Sequence, residues 1–127
     1  MLNTTSSKNK PIIVVADDDP AILEAMRMVL ELYNFKVETI ADGSVVPKLR
    51  QLRPQLLFLD IRMSGTDGRT ICKKLKTEAD TKHIPVVMIS ANANLQHCVE
   101  EAGANDYLAK PFDMNDLITK VEKYLPN

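Results

Sequence analysis

Short apolar runs recur along the chain at intervals that fit the strands of a buried sheet. The strongest is Leu56-Leu57-Phe58-Leu59, which follows Pro54 and runs directly into Asp60. A continuous apolar run of this length, bounded by turn residues, is typical of a strand buried on both faces. Asp60 is therefore predicted to stand at the carboxyl end of a central strand. The predicted strands are 12–16, 36–41, 56–60, 86–90 and 106–109, with Val37, Thr39 and Ala41 on one side of the second.

Between the strands, apolar residues return every three or four positions, which is typical of one buried helical face. Asp19 and Pro20 predict the start of the first helix, because aspartate caps a helix and proline is tolerated at its first position. Ser44 and Asp113 are predicted N-caps of later helices, and Gly103 a C-terminal stop. The predicted inward positions are Ile22, Met26, Val29, Tyr33, Val45, Val46, Leu49, Leu52, Ile71, Cys72, Leu75, Met114, Leu117, Ile118, Val121 and Leu125. The predicted solvated face of the third helix consists of Arg69, Lys73, Lys74 and Lys76.

Strand and helix alternate five times, and this alternation predicts the fold class. Parallel strands joined by helices need right-handed crossovers, which place helices on both faces of the sheet. We therefore expect an α/β protein of three layers. Its fold is flavodoxin-like (βα)5, with a five-stranded parallel sheet in the strand order 2-1-3-4-5.

Composition and charge narrow the class of protein. The 127 residues fit one domain, and 45% hydrophobic residues suffice for a core. Residues 1–10 are polar, so we expect a flexible tail there and a folded domain over 11–127. The net charge of −1 gives no pull toward nucleic acid or membranes, and no apolar run suits a transmembrane helix or a secretory signal. We expect a cytoplasmic protein in which Cys72 and Cys98 are reduced and buried.

Polar side chains stand at the carboxyl ends of four predicted strands. Asp17 and Asp18 follow the first strand, Asp60 ends the third, Ser90 ends the fourth, and Lys110 follows the fifth. In the predicted order these strands are adjacent, and ligands bind at the carboxyl ends of the strands in such sheets. One cleft is therefore expected to hold three carboxylates, a hydroxyl and an ammonium group.

This combination of side chains fits phosphoryl transfer. Neighbouring carboxylates repel one another, and a divalent cation removes the repulsion. Oxygen ligands favour Mg²⁺ or Mn²⁺ over zinc, and Asp17 and Asp18 are best placed to hold the ion. The metal, Lys110 and Ser90 can each contact one phosphoryl oxygen. Asp60, at the centre, is then the candidate nucleophile that forms an acyl phosphate.

The same residues carry a resemblance to a known family. Asp18, Asp60, Ser90 and Lys110 are separated by 42, 30 and 20 residues in turn, and this joint pattern is highly specific. From residue 11 to residue 125 the chain resembles the receiver domain of bacterial two-component response regulators, of which the single-domain chemotaxis regulator is a familiar example. The matching segments are 12–20, 59–63 with Asp67-Gly68, 88–91 and 102–112.

The resemblance implies roles in metal binding and phosphoryl transfer. Asp17 and Asp18 form the acidic pair that binds Mg²⁺, and the backbone carbonyl of Arg62 completes the ligands of the metal. Asp60 also binds the metal and is the phosphoacceptor. Lys110 contacts the phosphoryl group, and the Lys110–Pro111 peptide bond is cis. The protein takes up and slowly loses its own phosphoryl group but, not being an enzyme in the usual sense, turns over no outside substrate.

The resemblance also implies a switch and partners. Ser90 is the switch hydroxyl, and the ring of Tyr107 swings when Ser90 moves toward the phosphoryl oxygen. The donor is a sensor histidine kinase or a phosphotransfer protein. A downstream protein target binds the face formed by the helix near 95–102, the fifth strand and the last helix, the α4-β5-α5 face. We expect no direct contact with nucleic acid or membrane, and a monomer or weak homodimer.

Three positions depart from the commonest pattern of the family. Ser64 stands where many members have proline, which predicts a more mobile loop after Asp60. Arg62 and Asn92 occupy the two positions that tune self-dephosphorylation in the family. The long, cationic Arg62 side chain can shield the acyl phosphate or contact a phosphate oxygen or a carboxylate.

Two other classes of function are open at this level. The first is a protein-interaction module with the same fold that signals without phosphorylation, although the five intact site positions argue against it. The second is a small flavin-binding electron carrier. That class needs a phosphate-cradling loop after the first strand, where this chain has Asp17, Asp18 and Asp19, which repel phosphate.

Overall fold

A five-stranded parallel sheet forms the middle layer of the computed structural model, which describes residues 10–63, 65–91 and 94–126. The sheet order is β2-β1-β3-β4-β5, and all neighbouring strands run parallel. The predicted flavodoxin-like topology is therefore confirmed. The strands are β1 (Ile12–Ala16), β2 (Lys36–Ile40), β3 (Leu56–Asp60), β4 (Val86–Ser90) and β5 (Asp106–Ala109).

Five helices cover the two faces of the sheet. Because side chains of a strand point alternately to opposite faces, Ile13 and Val15 pack with α1 and α5, whereas Val14 and Ala16 pack with α2, α3 and α4. Residues 56–59 are fully buried, which explains the continuous apolar run in the sequence. The helices are α1 (Pro20–Leu32), α2 (Val45–Leu52), α3 (Gly68–Thr77), α4 (Leu95–Ala102) and α5 (Met114–Tyr124).

Most predicted helix ends are confirmed. Asp19 caps α1 with Pro20 in its first turn, Asp113 forms a capping box with Asp116 at α5, and Gly103 closes α4 in the left-handed conformation. Ser44 occupies the N-cap position of α2, but its hydroxyl donates to Asp42 instead of capping the helix. The predicted tail lies outside the described residues except for Lys10.

Some predicted inward positions are wrong. Ala41 lies beyond the end of β2 and is exposed, whereas Ile40 on the opposite side of that strand is buried. Tyr33 and Met114 are 51% and 52% exposed. Both lie at helix ends, where the apolar periodicity continues past the part of the helix that the sheet covers.

Lys76 differs from its predicted position on a solvated face. Its ammonium group donates to the carbonyl of Ile84 at 2.7 Å and to that of Lys82 at 3.3 Å. Burial lowers the pKa of Lys76. The chain after α3 folds back over the helix and presents these carbonyls, which the helical pattern cannot reveal.

Gly68 fixes how α3 begins against the end of β3. Its N–H donates to the carbonyl of Ile61 at 2.6 Å. A Cβ at this position would lie 2.2 Å from the carbonyl oxygen of Asp60. Only glycine fits there without moving the backbone that carries Asp60.

We expect Gly68→Ala to lower the free energy of unfolding by about 2–3 kcal/mol, because the added methyl group overlaps backbone atoms. Urea unfolding measures the change. Gly65→Ala is the matched control, since Gly65 has a φ of +76° but no atom within 4 Å of the added Cβ. That variant is expected to lose about 1 kcal/mol, from backbone strain alone. Equal losses in the two variants would contradict the steric explanation.

Candidate functional site

The carboxyl ends of four strands meet at one edge of the sheet and form a polar cleft. The strand register aligns Ala16 with Leu59, Asp60 with Ile89, and Ser90 with Ala109. The polar residues that follow or end these strands are therefore brought together. The cleft has a volume of about 490 Å³ and is lined by Asp17, Asp18, Asp19, Asp60, Arg62, Ser90, Ala91 and Lys110.

Lys110 bridges the two buried carboxylates of the cleft. Its Nζ lies 3.0 Å from Oδ2 of Asp17 and 3.6 Å from Oδ2 of Asp60. Asp17 is completely buried and Asp60 is 6% exposed. The backbone N–H of Lys110 donates to the carbonyl of Ser90 at 2.9 Å, and the Lys110–Pro111 peptide bond is cis. The lysine is thus tied to β4 through its backbone and to β1 and β3 through its side chain.

The donor atoms of the cleft fit a hard divalent cation. Asp17, Asp18 and Asp60 each present an oxygen, and these oxygens lie within 4.8 Å of one another. Oδ1 of Asp17 accepts from the N–H of Asp19. Oδ2 of Asp17 is buried and, among the described residues, has no hydrogen bond of good geometry. A set of carboxylate oxygens with one under-satisfied member is suited to Mg²⁺, which prefers oxygen ligands.

Burial and mutual repulsion set the electrostatics of the cleft. Burial, and after it the negative charge of Asp17, raise the pKa of Asp60 to about 6, although Lys110 acts in the opposite direction. For Lys110, burial opposes the charged form, but the ion pairs with the carboxylates of Asp17 and Asp60 raise its pKa. The cleft therefore carries excess negative charge that one ammonium group does not balance.

The comparison with known proteins gives the family. The sequence profile of the response regulator receiver domain matches residues 13–122. The chain belongs to this family. The resemblance drawn from the sequence is confirmed, and the protein is a signalling domain homologous to the response regulators of two-component systems.

Several relatives of this receiver domain are known. RpaA of Synechocystis, a DNA-binding dual master transcriptional regulator, is 36% identical over 118 residues, which cover 91% of this chain and 49% of RpaA. The receiver domain of NtrX from Brucella abortus superposes with a TM-score of 0.79 at 31% identity, covering 89% of this chain and 97% of that one. The receiver domain of sensor histidine kinase PA1611 from Pseudomonas aeruginosa has a magnesium ion coordinated in its active site cleft. It superposes with a TM-score of 0.84 at 24% identity, covering 93% of this chain and 99% of that one.

The length of the relatives bears on the predicted partners. The chain spans about half the length of the curated relatives it matches. RpaA and MtrA are described as DNA-binding regulators, so the expectation of no contact with nucleic acid is not supported for a full-length protein.

None of the helices in the described residues has the length and apolar character needed to cross a bilayer.

Arg62 borders the cleft of this receiver domain with an exposed side chain. Its backbone N–H donates to Oδ1 of Asp60 at 3.3 Å. Arg62–Met63 pairs antiparallel with Thr66–Asp67 directly after β3, which holds the backbone of Arg62 beside the carboxylate. Ser64 and Asn92, the other two positions singled out in the sequence, lie outside the described residues.

Tyr107 lies on β5, two strands away from the strand that carries Asp60, with β4 between them. It pairs with Met88 in the sheet register, two residues before Ser90. The side chain is half-buried and packs on the core cluster that includes α4. The sheet thus brings Ser90 into the cleft and leaves Tyr107 on the neighbouring helical face.

Asp106 is a buried charged residue that the sequence reasoning missed. Although burial opposes ionisation, hydrogen bonds from Lys123 and Lys120 hold the pKa of its carboxyl well below the usual range. Both lysines come from α5, one helical turn apart. Two lysines three residues apart on a predicted helix, after a strand that begins with an aspartate, are the sequence signal from which these ion pairs could have been predicted.

We expect Asp60→Asn to raise the free energy of unfolding by about 1–2 kcal/mol at pH 7.5 in the presence of a chelator, because it removes a buried charge. The folded-state pKa of about 6 exceeds the unfolded value of 3.8. The parent protein therefore loses stability as the pH rises through this interval, and the advantage of the variant shrinks as the pH falls toward 4. Chemical denaturation at several pH values measures it.

Asp106→Asn serves as the control, because it is expected to change the free energy of unfolding in the opposite direction. Because the pKa of Asp106 is lowered in the folded state, its carboxylate stabilises the fold above the unfolded pKa, and that stability is lost on acidification. This variant is expected to be less stable than the parent at pH 7.5 by about 1–3 kcal/mol. A loss of stability in both variants would contradict the excess of negative charge in the cleft.

Proposed function

We propose that this receiver domain, spanning residues 11–127 of a cytoplasmic protein, accepts a phosphoryl group on Asp60 from a sensor histidine kinase or phosphotransfer protein. The observation that carries the proposal is the central position of Asp60. Its carboxylate lies in one cleft with Asp17, Asp18 and Ser90, and its Oδ2 lies 3.6 Å from the ammonium group of Lys110. Of the other carboxylates in the cleft, Asp17 is completely buried, whereas Asp18 and Asp19 are exposed.

Mg²⁺ is the proposed cofactor, and Mn²⁺ can replace it. Asp17, Asp18, Asp60 and the backbone carbonyl of Arg62 are the proposed ligands. The cluster of three carboxylate oxygens supports this assignment, as does the magnesium ion in the cleft of the similar PA1611 receiver domain. When bound, the ion neutralises negative charge on the phosphoryl oxygens.

The chain's own residues supply the remaining steps of the transfer. A carboxylate oxygen of Asp60 forms a bond to phosphorus as the bond from phosphorus to the donor nitrogen breaks, and the leaving imidazole keeps that electron pair and takes a proton. Lys110 stabilises one phosphoryl oxygen with its charge, and the hydroxyl of Ser90 donates to another. The product is an acyl phosphate, which the domain itself slowly hydrolyses.

The surroundings of the cleft support a protein as the donor. An apolar cavity of about 380 Å³ shares Ala91 and Lys110 with the cleft and is otherwise formed mainly by α1 and the start of α5. Apolar surface beside a reactive carboxylate suits a macromolecular partner better than a small polar one. The proposed face for a downstream protein target is α4-β5-α5, and the proposed state is a monomer or weak homodimer.

The direct test is incubation with acetyl phosphate and Mg²⁺, followed by mass spectrometry of the intact protein and of its peptides. We expect a mass increase of one phosphoryl group, located on Asp60, and no increase in the presence of a chelator. Asp60→Asn should remain unmodified. Asp18→Asn should need more than about tenfold higher Mg²⁺ for the same extent of modification. Equal modification of Asp60→Asn and the parent would rule out Asp60 as the acceptor, and an unmodified parent would favour a module that signals without phosphorylation.

Arg62 is expected to set the lifetime of the acyl phosphate. We predict that Arg62→Ala changes the rate constant of dephosphorylation by about threefold or more, while the free energy of unfolding changes by less than about 0.5 kcal/mol, because the side chain is exposed. Phosphate release after removal of acetyl phosphate gives the rate constant. Arg53→Ala, an exposed arginine outside the cleft, is the matched control and should decay like the parent. An unchanged decay in Arg62→Ala would refute the assignment.

A further inference from the structure

A buried carboxylate at the start of β5 organises the neighbouring part of α5. Oδ1 of Asp106 accepts from the N–H of Tyr107 at 2.8 Å and from Lys120 at 2.9 Å. Oδ2 accepts from Lys123 at 2.8 Å and from the hydroxyl of Tyr124 at 3.0 Å. Asp106 is only 7% exposed. The Lys120 side chain is 26% exposed and that of Lys123 is 59% exposed, so the buried acid fixes Lys120 more firmly than a surface ion pair does.

Lys120 differs from Lys123 in what else it touches. The ammonium group of Lys120 lies 5.5 Å from the centre of the Tyr107 ring, whereas that of Lys123 lies 5.5 Å from the centre of the Tyr124 ring. Both distances are within the range of cation–π attraction. Only Lys120 therefore links the Asp106 carboxylate to the ring of Tyr107.

We propose that Lys120 is a positioning residue for Tyr107: held by Asp106, its ammonium group retains the Tyr107 ring in a half-buried position and thereby slows the phosphorylation of Asp60. The effect on Asp60 rests on the proposed function, through the movement of Ser90 and Tyr107. The contact between Lys120 and the ring does not depend on that function. Phosphorylation of Asp60 and the packing of α5 are then coupled through the contact between Lys120 and the Tyr107 ring.

The geometry gives the direction of the effect. The ring is half-buried and packs against the core cluster, so a swing inward would bury more of its surface and take it away from Lys120. A cation on α5 that attracts the ring opposes that movement, and the Asp106 carboxylate prevents the cation from following. At a partly exposed site this attraction changes a population ratio by about two- to fivefold.

The first experiment measures the ring alone. The ¹³C-labelled Tyr107 ring is observed by NMR in the protein without metal or phosphoryl donor. Lys120→Met is expected to shift the ring resonances, whereas Lys123→Met, which also removes one hydrogen bond to Asp106, is not. Lys120→Arg keeps the charge and should restore the parent spectrum. Equal shifts in the two methionine variants would show that loss of the Asp106 network is responsible and would overturn the proposal.

The second experiment measures phosphorylation by acetyl phosphate and Mg²⁺. Lys120→Met is expected to speed it about two- to fivefold, with Lys123→Met and Lys120→Arg within about 1.3-fold of the parent. In a Tyr107→Ala background, Lys120→Met should have no effect. An effect that persists without Tyr107 would overturn the proposal. If the parent takes up no phosphoryl group, the proposed function fails and the link to Asp60 with it, while the ring resonances still decide whether Lys120 positions Tyr107.

Discussion

The organisation of the cleft depends on one ammonium group placed between two buried carboxylates. Lys110 lies 3.0 Å from Asp17 and 3.6 Å from Asp60, and burying either acid there as a charged carboxylate without a nearby cation would cost much free energy. One positive charge does not cancel two or three negative ones. Burial, and after it the negative charge of Asp17, raises the pKa of Asp60. An imbalance of this sign attracts a divalent cation, and such a cation would offset the repulsion between the carboxylates and an anionic phosphoryl group.

The parallel sheet is what makes this arrangement possible. Parallel strands expose their carboxyl ends at one edge, so residues that are far apart in the chain come within ion-pair distance. The backbone of the cleft is fixed as well. Gly68 lets α3 begin directly against the carbonyl of Asp60, and the N–H of Lys110 is bonded to the carbonyl of Ser90. The carboxylate of Asp60 therefore lies on a strand end whose backbone is held by its neighbours.

Strand β5 connects this cleft to a second buried charge cluster. Lys110 follows its carboxyl end, and Asp106 begins it with four hydrogen-bond donors around its carboxylate. Tyr107 lies between the two. The two clusters have opposite electrostatics, because the pKa of Asp60 is raised and that of Asp106 is lowered. In the first, one ammonium group does not balance the carboxylates. In the second, four donors satisfy the carboxylate and connect it to α5.

The sequence alone determined the order of elements, the fold class and the residues of the cleft. Alternation of apolar runs and helical periodicities requires a parallel sheet, and the sheet places Asp17, Asp60, Ser90 and Lys110 together whatever the details of packing. Only the tertiary structure decided the partial burial of Lys76, the exposure of Met114, and the contacts of Asp106 with α5. Those depend on distances between elements remote in sequence, and a periodic pattern records which face of an element is apolar but not which charged side chain of a neighbour reaches it.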